Sequence, residues 1–197
     1  MESIYGQHRP ELEKVLQQML GRIDDLRKNI REKTGEDPIE HCLGRIKSED
    51  SMREKCRRKG LPETTESALQ EIHDAIGIRV VCAFRSDVYK VRDYLAGFDD
   101  VTVTEEKDYI RHAKPNGYRS YHMIVKTDSG YYVEVQIRTI SMDTWAALEH
   151  HMKYKKKVSG NEELIISELK RCADELASTD ISMQTIHDMI YEEEDHF

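Results

Sequence analysis

Apolar residues near the start of the chain recur at spacings of three and four. Leu12, Val15, Leu16, Met19, Ile23, Leu26 and Ile30 form one stripe, which predicts an amphipathic helix over 8–33. Gly35 and Pro38 end it. A second helix is predicted over 48–59, closed by "KGLP". From residue 75 the period changes to two. "AIGIRVVCAF" (75–84) reads as a strand with Ile76, Ile78, Val80, Cys82 and Phe84 on one face and Gly77, Arg79 and Val81 on the other. "SDVYKVRDYLAGF" (86–98) reads as a helix capped by Ser86. Strands follow at 101–107, 120–127 and 131–139, the last two joined by "DSG", a hairpin signal. Residues 141–157 are predicted helical, with Trp145, Leu148 and Met152 as a core stripe. One or two helices over 161–191 carry Ile165, Leu169, Cys172 and Leu176 on one stripe.

This order predicts an α+β fold, a mixed β-sheet flanked by N- and C-terminal helices. At 197 residues the chain is expected to be a single domain, long enough for a real core. No apolar run approaches a membrane span and the N-terminus has no signal-peptide pattern, so a cytoplasmic location is expected. Four dispersed cysteines without a C-x-x-C agree with reduced thiols there.

The net charge of −8 is an uneven average. Residues 161–197 hold 11 acids and only Lys170 and Arg171 as bases, so residues 1–160 are close to neutral. Within them, "RIKSEDSMREKCRRK" (45–59) has seven bases against three acids, and 109–126 has four bases and no acid. Two basic clusters in a neutral body point to an anion site rather than to a general polyanion-binding surface. There is no G-x-x-x-x-G-K-[ST] and no G-x-G-x-x-G, so cationic side chains must hold any bound phosphates.

Alternation also sorts the polar residues. In "YYVEVQIRT" (131–139), Tyr132, Glu134, Gln136 and Arg138 share the face opposite Val133, Val135 and Ile137. A half-solvated sheet gives the same pattern. Asp74 stands just before the 75–84 strand, so Asp74 and Glu134 are expected to meet on the polar side of one sheet. Mg²⁺ is held by one or two carboxylates completed by substrate phosphates. His73-Asp74 and His187-Asp188 resemble phosphohydrolase pairs but lack the wider His and Asp set, and "EHH" (149–151) has no zinc-ligand spacing. Asp143, Ala147, His150 and Tyr154 line a further face of the 141–157 helix, one able to look into a site.

"GRIK", "DAIGIRV", "KDYIRHAKPNGYRSYH", "EVQIRT" and "WAALEHHMKYK" follow one another over residues 41–157. In that order they resemble the synthetase domain of RelA/SpoT alarmone enzymes, and the chain looks like a stand-alone small alarmone synthetase. The resemblance implies a nucleotidyltransferase-like fold, a catalytic core over 41–157, an N-terminal helix over 1–40 and acidic C-terminal helices over 158–197. It implies Mg²⁺-dependent transfer of the β,γ-pyrophosphate of ATP to the 3′-hydroxyl of GDP or GTP, giving AMP and ppGpp or pppGpp.

By the same resemblance Arg45 and Lys47 hold ATP, Arg45 and Arg79 flank its adenine, and Lys55, Arg58 and Lys59 surround its phosphates. Asp74 matches the metal ligand, and Glu134 a second metal ligand or the base. Lys114, Tyr118 and His122 match the acceptor loop, with the Tyr118 ring stacking on guanine. Gln136, Asp143, His150 and Tyr154 complete that pocket. Asp143 stands where these synthetases commonly have Asn, and "EEKD" (105–108) matches neither charge variant of long family members, leaving GDP or GTP preference open. No hydrolase or ribosome-associated regulatory region is expected. Homotetramers through the flanking helices, and an alarmone or RNA as allosteric ligand, are further implications; the alternative is that those helices pack only on their own sheet. Rival functions are pyrophosphate transfer to a tRNA 3′ end, and an inactive alarmone- or RNA-binding protein.

Overall fold

The computed structural model describes residues 3–155 and 161–194, the side chains of 153–155 and 192–194 excepted. A short 3₁₀ turn (Gly6–His8) leads into α1 (Arg9–Thr34), followed by β1 (Ile39–Ile46), α2 (Glu49–Lys59) and a π-helical turn (Ser67–Glu71). Then come β2 (Ile76–Cys82), α3 (Arg85–Ala96), β3 (Val101–Asp108), β4 (Tyr121–Thr127), β5 (Tyr132–Thr139), α4 (Ile140–Lys155) and α5 (Glu162–Glu194). The five strands form one sheet in the order β1-β2-β5-β4-β3; β2 and β5 run parallel and the other neighbours antiparallel.

One sheet face is apolar. Ile76, Val80, Met123, Val125, Val133, Val135 and Ile137 are all fully buried, and α1 and α3 pack against that face with Leu12, Met19, Ile23, Val88, Val91 and Leu95. The other face carries the polar residues that alternation predicted.

Several elements differ from their sequence patterns. Strand β1 escapes prediction because only Ile39 is fully buried in it, whereas Leu43 is 58% exposed. Its Gly44 lets α1 come close: a Cβ there would lie 2.6 Å from Leu16 Cδ1. Ser86 does not cap α3. The N-cap is Phe84, and the free amide of Ser86 donates instead to Gln184 Oε1 of α5 at 2.9 Å. By contrast, Ser48 caps α2, accepting from the Ser51 amide, and Gly60 ends that helix in the left-handed conformation.

In α4 only Trp145 of the predicted core stripe is buried; Leu148 and Met152 are 56% and 52% exposed. The tail is one helix, and half of the predicted stripe turns inward, with Leu169 and Leu176 half-buried. Ala173 and Asp180 are buried, while Ile165 and Cys172 are exposed. The helix comes closest to the rest of the chain at the small Ala173, where a larger side chain would not fit against Gly117. All four cysteines are free thiols.

Candidate active site

Strand register puts the polar residues on two adjacent rungs that cross the whole sheet. The first runs Arg45, Gly77, Glu134, Ile124, Glu105; the second runs Leu43, Arg79, Gln136, His122, Lys107. Two cavities open over these rungs. One, of about 240 Å³, is lined by Leu43, Arg45, Lys47, Gly77, Arg79 and Gln136. The other, of about 200 Å³, is lined by Lys55, Lys59, Glu105, Lys107 and His122. Asp74 and Glu134 line both.

In the first cavity Gly77 forms a floor between two arginines. It is the direct partner of Arg45 and lies two residues from Arg79. A Cβ on Gly77 would meet nothing within 4 Å, so the space above it is open. A flat slot bordered by two guanidinium groups and exposed Leu43 suits a planar base.

At the junction, Asp74 Oδ2 accepts from Lys47 Nζ at 2.8 Å and from Lys55 Nζ at 2.5 Å. Burial pushes the Asp74 carboxyl up, but the two ammonium groups outweigh it and hold the group below the usual carboxylate range. Its Oδ1 is buried with no hydrogen-bond partner among the described residues. Glu134 Oε2 accepts from Gln136 Nε2 at 3.2 Å, and Glu134 Oε1 lies 3.8 Å from His122 Nδ1. Among the described residues no three His, Cys, Asp or Glu side chains form a metal cage.

Behind the second cavity lies a network centred on Arg138, whose side chain is only 4% exposed. It donates to the Tyr118 hydroxyl at 2.7 Å, to Gln136 Oε1 at 2.8 Å and to Asp143 Oδ1 at 3.0 Å. Because the Tyr118 oxygen accepts from Arg138, its own proton is directed to His122 Nε2, 2.7 Å away. Burial and the nearby Arg138, Lys114 and Lys107 charges push the His122 pKa down to about 4, so the ring is neutral at pH 7. With Nε2 accepting, Nδ1 carries the hydrogen and points towards Glu134. Arg79 Nη1 lies 3.3 Å from Asp143 Oδ1, and this ion pair connects the slot over Gly77 to the network.

The candidates fall into three groups. Arg45, Lys47, Arg79, Gln136, Asp74 and Glu134 converge in the first cavity, and Lys55, Lys59 and His122 in the second. Lys114, Tyr118 and Asp143 stand just behind, through contacts rather than as lining. Arg58 and His150 are exposed and line neither cavity, and the Tyr154 side chain lies outside the described residues. The Tyr118 ring is half-buried, with Lys114 Nζ 4.9 Å and Arg138 Cζ 5.3 Å from its centroid. Not every base in the 45–59 cluster faces the site, because Arg53 and Arg57 pair with Glu63 at 3.4 and 3.2 Å. Arg138 is the residue that motif reading missed; the signal was its place on the polar face of β5 beside Glu134 and Gln136.

Residues 44–159 match the region found in RelA/SpoT proteins. The chain is 44% identical over 147 residues to GTP pyrophosphokinase YwaC of Bacillus subtilis, covering 71% of this chain and 70% of that protein. It is 38% identical over 163 residues to GTP pyrophosphokinase YjbM of the same organism, covering 79% and 75%. Among solved structures, small alarmone synthetase 1 of B. subtilis bound to its product pppGpp matches with a TM-score of 0.80 and 32% identity, over 91% of this chain and 94% of that one. With its sheet, its paired carboxylates and more than half of its length inside that region, the chain belongs to the RelA/SpoT family.

Proposed function

We propose that this chain transfers the β,γ-diphosphate of ATP to the 3′-hydroxyl of GDP or GTP, with ATP in the first cavity and the acceptor in the second. The observation that carries this reading is that the two cavities share one pair of carboxylates, Asp74 and Glu134. The acceptor oxygen forms a bond to the β-phosphorus as that phosphorus loses its bond to the α,β-bridging oxygen. AMP leaves with the bridging oxygen, and Glu134 takes the hydroxyl proton. Arg45 and Arg79 flank the adenine over Gly77. Lys47, Lys55 and Lys59 neutralise the phosphate chain, and neutral His122 donates from Nδ1 without adding charge.

The residues fit a magnesium ion. Asp74 Oδ1 is buried with its lone pairs unused, Glu134 lies on the same cavity wall, and phosphates would complete so small a protein ligand set. When bound, the ion supplies charge neutralisation and orientation of the phosphates.

Among the described residues no helix is long and apolar enough to cross a membrane, and a cytoplasmic location suits ATP and guanine nucleotide substrates. The exposed Leu164, Ile166, Ile181, Met183, Met189 and Ile190 of α5 support assembly of this chain with further copies, a tetramer in our reading, whose mass light scattering measures.

Purified protein given Mg²⁺, ATP and either GDP, GTP or tRNA decides the acceptor. The reading expects AMP together with a guanine nucleotide two phosphates longer. Diphosphate on tRNA alone, or no AMP with any acceptor, would contradict it.

A further inference from the structure

No residue of α5 lines either cavity, yet the helix grips the loop that carries Tyr118. Gly117 has φ +92°, and a Cβ on it would lie 2.6 Å from Ala173 Cβ and 3.1 Å from Lys170 Cα. Loop and helix therefore touch backbone to backbone. Arg119 secures that contact. Its guanidinium donates to Gly117 O at 3.1 Å within the loop, to Ala173 O at 3.3 Å and to Asp174 Oδ1 at 2.9 Å on the helix.

Two further bonds fix the helix to the frame of the site. Trp145, its ring 6.3 Å from that of Tyr118, donates from Nε1 to Leu169 O at 2.8 Å. Thr139, next in sequence to Arg138, donates to the buried Asp180 carboxylate at 2.5 Å and accepts from the Met142 amide in the first turn of α4. Tyr118 thus has α5 behind it on both sides, through Arg119 next to it in the chain and through Trp145 across the ring.

We infer that α5 is a positioning element of the acceptor site, with Arg119 as the positioning residue that holds the Tyr118 loop against Ala173 and Asp174. This rests on the transfer reading above. Arg119 touches neither cavity and its charge is satisfied by the helix, so its effect is on where the Tyr118 ring stands. A loop released from α5 samples other conformations, and the acceptor then bears the cost of ordering it. Loss of charge-assisted bonds of this kind corresponds to a factor of about ten in affinity. ATP, bound over β1 and β2, does not depend on that loop.

The test compares Arg119→Ala, Arg119→Lys and Asp174→Asn with the parent chain, each with KM for ATP and for GDP. Trp145, the sole tryptophan, serves as an optical probe of GDP binding. Arg119→Ala is expected to raise the GDP KM about tenfold with the ATP KM within about twofold, and Arg119→Lys to recover part of the loss. The GDP concentration that half-saturates the Trp145 fluorescence change should rise in step. Asp174 is a surface residue, so Asp174→Asn gives the same direction with a smaller step even if Arg119→Ala fails to fold. Equal rises in both KM values, or unchanged GDP binding in folded variants, would overturn the inference. Transfer by the parent chain remains the separate measure of the reading on which it rests.

Discussion

The Arg138 guanidinium and the Tyr118 hydroxyl are joined at 2.7 Å, and that bond sets the direction of the hydrogen bonds that follow it. It turns the phenol proton towards His122, fixes the imidazole tautomer and leaves the Nδ1 hydrogen facing Glu134. The same guanidinium holds Gln136, which donates to Glu134. One buried cation thus orients the carboxylate assigned as base from two sides.

Replacing that cation should affect fold and activity together. Arg138→Met leaves Asp143, Tyr118 and Gln136 without their shared donor, and breaking a buried pair of this kind costs on the order of 3 kcal/mol. Thermal unfolding should move down by several degrees and transfer should fall steeply. A melting curve unchanged from the parent's would show that the network adds nothing to stability.

Tyr118 has two separable parts. Tyr118→Phe keeps the ring and removes the oxygen between Arg138 and His122. It should lower kcat more than it raises the KM for GDP. Tyr118→Ala removes the stacking surface, worth about 1–3 kcal/mol per base, and should raise the GDP KM while leaving the ATP KM near its parent value. Steady-state kinetics with each substrate varied separates the two, and equal loss towards both substrates would count against stacking.

Gly77 offers a steric test of the base slot. The space above it is open, so Gly77→Leu should fold normally and fill the place assigned to adenine. The ATP KM should rise at least about tenfold, with little change for GDP. Normal ATP affinity in a folded Gly77→Leu chain would remove adenine from that cavity.

His122 makes stability depend on pH. Its pKa is near 4 in the folded chain, against an ordinary value of 6.5, so between these limits the unfolded chain binds the extra proton. Stability therefore falls as pH drops from about 6.5 to about 4, by on the order of 3 kcal/mol from this residue. Denaturant unfolding at several pH values measures the slope. His122→Asn should flatten it across that window, and an unaltered slope in the variant would assign the dependence elsewhere.

How much of this was legible in the sequence varies by element. Helix α1 and strands β2, β4 and β5 follow from periodicity, because each buries one continuous face. Strand β1 does not, since its Leu43 and Arg45 face a cavity and carry no apolar alternation. The phase of α5 was half legible, because Leu169 and Leu176 turn inward while the tightest contact runs through Ala173 and Asp180. The meeting of Asp74 and Glu134 required the parallel pairing of β2 with β5, which sequence suggests but does not specify. The role of Arg138 needed still more, namely the β4–β5 register, the turn into α4 and the loop fold at Gly117.

The Asp74–Glu134 junction is assigned the transfer of an intact diphosphate. Its most direct test supplies ATP labelled in both the β and the γ phosphate, with GDP as acceptor, to the parent chain and to a folded Glu134→Gln variant. In the parent, both labels should reach the guanine nucleotide in equal amounts with unlabelled AMP as co-product, and the variant should give neither. Arrival of the γ label alone would mean that a single phosphate moves, and near-normal transfer by Glu134→Gln would remove Glu134 from the chemistry.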